Sequence, residues 1–106
     1  MPLPDSDSVG EAARGRLDDV IHSPVRLSVV AALAATDEAE FSAVRDAVQI
    51  SDSVLSKAVG VLEDAGYMLV RKGYVGKRPR TWLSLTPRGH DALQAHVAAL
   101  RAIAGA

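Results

Sequence analysis

The sequence predicts a mainly α domain carrying a small antiparallel β-hairpin, an α+β arrangement. Three observations lead there. Residues 52–65 form a stretch with a serine before it, one apolar face and a glycine after it. Two β-rich segments follow, the second alternating Thr81, Leu83 and Leu85 with Arg80, Trp82 and Ser84. The composition is 48% hydrophobic but only 4% aromatic, which suits closely packed helices. At 106 residues the chain is expected to close one domain around a single core.

Residues 1–10 hold two prolines, two aspartates, two serines and a glycine, and are expected to form a flexible arm ahead of a domain over 11–106. Glu11 to Ile21 reads as a first helix, with Ala13, Leu17 and Val20 on its apolar side and Gly15 as its one breaker. Ser23-Pro24 restarts the helix, the serine as N-cap and the proline where its missing N–H costs nothing. Val25 to Ala35 is nearly all apolar and should be the central helix, burying Leu27, Val30, Ala31 and Ala34. An acidic connection over 36–40 follows, with a stub of strand at Glu40-Phe41. Ser42 is placed to cap a short helix over 43–48 that buries Val44 and Val48.

Gln49-Ile50 turns the chain into the helix of 52–65. Ser51 can accept from the free N–H groups of its first turn, and Asp52 adds negative charge at the positive end of the helix dipole. Leu55, Val59 and Leu62 recur at four- and three-residue steps, with Ala58 and Ala65 alongside. Ser53, Ser56, Lys57 and Gly60 form the opposite, small and polar face. Short helix, turn and second helix make a helix-turn-helix, whose outer face is small enough to approach a major groove closely. Gly66 stops the helix. Strands are expected over 67–72 and 81–85, joined by a basic loop over 73–80 with Gly73, Gly76 and Pro79 shaping it. Thr86-Pro87 repeats the cap-then-proline start of a last helix running to about Ile103. Leu93, Val97, Leu100 and Ala104 lie on it at coiled-coil spacing.

Charge is segregated. Net charge is −1, yet residues 65–90 hold six bases (Arg71, Lys72, Lys77, Arg78, Arg80 and Arg88) and no acid, in a chain with thirteen acids. Phosphate attraction depends on this near field, since screening cuts interactions off beyond ~10 Å at 0.1 M salt. A solvated charge run is the plain alternative, but solvated faces ordinarily mix signs. Trp82 sits in a strand with core on one side and is expected to pack rather than to stack a base. No nucleophile–base pair or carboxylate pair fits an active site, so no enzyme is expected. No cofactor is expected. With no cysteine, and with His90 and His96 unable to share a helical face, no metal site is expected either. His22, His90 and His96 are read as surface or interface residues. Absent cysteines fit a cytoplasmic protein. No apolar run of ~18 residues suggests a membrane span, and the N-terminus does not read as a signal peptide.

Three segments carry a family resemblance: IHSPVRLSVVAAL in the central helix, SDSVLSKAVGVLEDAGY after the turn, and GKRPRTWLSLTPRG through hairpin and last helix. Together they span roughly 17–100 and resemble winged helix-turn-helix transcriptional regulators of the MarR/ArsR kind, most of all the short bacterial DNA-binding proteins of that fold. The resemblance implies that Ser53, Val54, Ser56 and Lys57 face the major groove, and that Lys77, Arg78 and Arg80 lie on the wing against backbone or minor groove. Ser51 at the helix start and Arg71 on the first strand complete the candidate DNA-binding set. Ala58 and Gly60 replace larger side chains common in such helices, which shifts weight from base readout to phosphate contacts and DNA shape. The resemblance also implies dimerisation through the terminal helices, with Leu17, Val20, Leu93, Val97 and Leu100 as the candidate interface. The expected partners are a palindromic double-stranded operator and a second copy of the chain. Any small-molecule effector would have to sit at the dimer interface. A winged-helix module that binds protein instead of DNA is the alternative, but its exposed helix face would carry apolar anchors rather than Ser and Lys.

Overall fold

The computed structural model describes residues 11–105; the arm expected over 1–10 lies outside them. Helices α1 (Pro24–Ala34), α2 (Phe41–Val48), α3 (Asp52–Asp64) and α4 (Pro87–Ala104) surround a sheet of β1 (Ala39–Glu40), β2 (Met68–Val75) and β3 (Arg78–Leu85). All pairings are antiparallel, in the order β1-β3-β2.

The caps form where hydroxyl residues precede helices. Ser23, Ser51 and Thr86 accept from Arg26, Val54 and Gly89 N–H groups respectively. Pro24 and Pro87 occupy first-turn positions. The short helix is an exception. It starts at Phe41 directly from β1, Glu40 stands at its N-cap without a side-chain hydrogen bond, and Ser42 lies inside it.

The core gathers Val29, Val30 and Leu33 of α1, Val44 of α2, Leu55, Val59 and Leu62 of α3, and Met68, Leu83 and Leu85 of the sheet. The face of α1 differs from expectation: Ala31 is exposed and Leu27 half-buried, while Val29 and Leu33 are sealed. A helix apolar on nearly every side has no polar stripe to orient it, so its neighbours choose the buried face.

Among the described residues, the first expected helix covers 11–14 and does not continue to Ile21. Gly15 ends it, and the Asp18 carboxylate then accepts from the Val20 and Ile21 N–H groups at 2.9 and 3.2 Å. Those local bonds replace helical ones and turn the chain. Ile21 is fully buried, and the Arg26 guanidinium holds the turn by donating to the Val20 carbonyl.

The same segment reaches α4. The Asp18 N–H donates to His96 Nδ1 at 3.1 Å, and the Tyr67 hydroxyl donates to the Asp18 carboxylate. His96 is fully buried, not at the surface, and its Nε2 has no hydrogen-bond partner among the described residues. Gly89 and Ala99 share its buried face. Leu93 packs against the core from α4, as Val20 does from the N-terminal turn.

Candidate nucleic-acid interface

Two elements present the candidate residues. The turn before α3 is closed by Gln49, a non-glycine residue in left-handed conformation at φ 61°, and by the Ile50 N–H donating to the Arg45 carbonyl. Arg45, which sequence reasoning passed over, then spans the turn. Its guanidinium contacts Asp46 and Asp52 at 2.9 Å each. Both acids lie near the start of α3, and one arginine offsets their charge. The capped α3 buries Leu55, Ala58, Val59 and Leu62 inward. Ser51, Ser53, Val54, Ser56 and Lys57 are left exposed together on the other side. Ala58 therefore belongs to the core face, whereas Gly60 lies at the outer edge with open space beside its Cα.

The hairpin is longer and its loop shorter than expected. Pairing continues out to Val75↔Arg78, leaving Gly76-Lys77 as a two-residue turn. Gly76 has φ 63°, the positive value that a tight hairpin requires at its first linking position. Pro79 is thus a strand residue, paired with Tyr74 beyond the reach of β1, where one side of β3 is an open edge that tolerates a missing N–H.

This geometry divides the basic residues. Arg71 donates twice to Glu38, Nε to Oε2 at 3.1 Å and the terminal nitrogen to Oε1 at 2.7 Å, and its guanidinium lies 4.2 Å from the Trp82 ring centre. The fork holds the Glu38 carboxyl below the usual carboxylate range. Arg80 contacts Glu40 at 2.7 Å. Among the described residues Lys57, Lys72, Lys77 and Arg78 are exposed and form no ion pair. Lys72 was not among the candidate contacts. It pairs with Thr81 across the hairpin, and both line an open groove of about 700 Å³ beside Ser56 and Gly60 of α3. Strand alternation could have found it, because Lys72 falls on the face opposite Arg71. Trp82, on the Arg71 face, is half-buried and packed, as expected.

On the far side, Val97 and Leu100 of α4 are half-buried within the chain, as is Leu17, and Ile103 is exposed.

A helix-turn-helix whose second helix is followed by a basic two-stranded wing defines a winged helix. A family model described as winged helix DNA-binding domain matches residues 25–104. The chain belongs to that family, one of DNA-binding domains rather than enzymes. No curated protein matches the sequence significantly. Solved structures share the fold. A transcriptional regulator homologue from Pyrococcus horikoshii OT3 superposes with a TM-score of 0.80 at 22% identity, over 92% of this chain and 95% of that one. A MarR family transcriptional regulator from Silicibacter pomeroyi gives 0.65 at 20% identity, over 92% and 65%. The M. tuberculosis transcriptional regulator MOSR, solved in complex with DNA, gives 0.67 at 19%, over 94% and 68%. The MarR-like resemblance in the sequence is thus met by the fold. No helix among the described residues is long and apolar enough to cross a membrane.

Proposed function

We propose that this protein is a sequence-specific regulator of transcription that binds double-stranded DNA as a homodimer. In this reading α3 lies in the major groove and the hairpin turn lies on the backbone or in the minor groove. The observation that carries it is the pairing of two surfaces. The outer face of α3 carries small polar side chains with the single cation Lys57, and beside it stands a hairpin with three unpaired bases in an acid-free stretch. Serines permit close approach to base edges, and the cations supply the sequence-independent phosphate attraction. Two-fold symmetry would place two α3 helices about 34 Å apart, matching half-sites of a palindrome.

Fluorescence anisotropy against duplex DNA tests this. Binding should weaken steeply with salt, with a slope of log K on log salt of roughly −5 to −7 if each protomer neutralises three or four phosphates. No binding to random or genomic duplex at low salt would overturn the proposal.

A further inference from the structure

We infer that Glu38 and Glu40, two acids outside both DNA-reading elements, are positioning residues that fix the wing and so raise DNA affinity. This deepens the DNA-binding reading and rests on it. The hairpin leaves the body where its support is thin: β1 pairs with β3 only through Ala39↔Leu83 and Glu40↔Trp82. Beyond that point the residues of β2 and β3 are mostly exposed, so backbone pairing alone leaves the wing free to tilt as a two-stranded ribbon. Two ion pairs stand at this exit, both on the sheet face turned away from α3. Glu38 receives the Arg71 fork from β2, and Glu40 receives Arg80 from β3. The Trp82 ring, on β3, lies beneath the Arg71 guanidinium, and a Cβ on Gly73 would stand 3.2 Å from it. Isolated surface pairs contribute little, but a bidentate fork stacked on an aromatic face is geometrically fixed. Arg71 and Arg80, which sequence reading placed on DNA, are therefore anchors, and Lys72, Lys77 and Arg78 remain for phosphate.

Simple electrostatics predicts the opposite sign. Removing two negative charges near a phosphate-binding surface should tighten binding. The brace predicts that Glu38→Gln with Glu40→Gln weakens it, by about three- to fivefold, the scale on which exposed pairs act. Arg71→Lys adds a second arm. Lysine keeps the charge and would serve a phosphate contact, but it loses the fork and the stacking, so the brace predicts a similar loss. Trp82, the single tryptophan, reports directly: its emission should shift in both variants as the guanidinium leaves the ring. The measurements are anisotropy titrations against random-sequence duplex and against the site that the unaltered chain selects from a random pool, with thermal midpoints checked for intact folding. Unchanged or tighter binding by the double variant, or full retention by Arg71→Lys, overturns the brace. Absence of binding by the unaltered chain overturns the DNA reading itself, and the brace as a determinant of DNA affinity falls with it.

Discussion

Gly60 and Gly89 both sit in helices, under opposite constraints. A Cβ at Gly89 would lie 2.2 Å from the Tyr67 carbonyl oxygen, a backbone atom that cannot step aside. That carbonyl also accepts from the Thr86 N–H, so the start of α4 is locked against the chain leaving α3. Gly89→Ala should cost about 1–3 kcal/mol, measured by urea denaturation, even though alanine favours helix. Gly60 meets nothing within 4 Å, so Gly60→Ala should stabilise by about 1 kcal/mol. Equal effects at the two sites would refute the assigned packing. His96 makes stability depend on pH. Burial, reinforced by charge on His22, holds its pKa below the ordinary 6.5, with Asp18 opposing. The two rings lie 5.3 Å apart. Because the folded pKa is depressed, the unfolded chain takes up the proton first. The contribution of His96 to stability is full above about pH 6.5 and is lost as pH falls below it, with a slope of up to about 1.4 kcal/mol per pH unit. His96→Gln keeps an acceptor for the Asp18 N–H and should flatten this dependence between pH 7.5 and 5.5; the same acid sensitivity in both proteins would assign it elsewhere.

At the scale of elements, α3 and the hairpin are expected to do different work. Ser53 and Lys57 stand on the exposed face of α3, at groove depth in the proposed complex. Replacing either by alanine should change which sequence is preferred, at about 1–3 kcal/mol for a true base contact. Arg78 adjoins the hairpin turn and Lys72 lines the groove beside Ser56. Arg78→Ala should weaken all sequences alike and make the salt slope shallower by about one. If the α3 variants leave both preference and affinity unaltered in competition binding, another element reads the bases.

For the whole molecule, the proposed homodimer needs part of α4 left free to meet a second copy. Leu93 is already packed on the core and His96 is sealed, so the inner half of the seam stabilises the chain itself. Val97 and Leu100 are half-covered and Ile103 is 37% exposed, which leaves apolar surface toward the C-terminal end of α4. Burial of such surface favours association at roughly 25 cal/mol per Å² before entropy losses. Sedimentation at micromolar concentration should give twice the 11.1 kDa chain mass. Leu100→Glu with Ile103→Glu should give a folded monomer that binds DNA much more weakly, whereas Leu93→Glu would damage the core as well. A double variant that remains dimeric would place the interface on another surface.

The sequence by itself determined most of the elements and their order. A hydroxyl residue before each of three helices, a glycine after α3, and the four- and three-residue spacing of Leu55, Val59 and Leu62 are local signals. Each acts within a turn or two of chain, so each is legible without the fold. The acid-free basic stretch is likewise a property of the chain. Tertiary structure decided what depends on distant partners. It chose the buried face of α1, because that helix is apolar nearly all round. It sealed His96 against Asp18, 78 positions away. It extended the hairpin into what composition suggests is a loop, because cross-strand pairing outweighs the turn signals of Gly73 and Pro79. Above all it divided one run of like charges, tying Arg71 and Arg80 to Glu38 and Glu40 while leaving Lys72, Lys77 and Arg78 in solvent. Alternation along a strand assigns a face, but only the fold sets an acid from a separate strand or linker opposite that face.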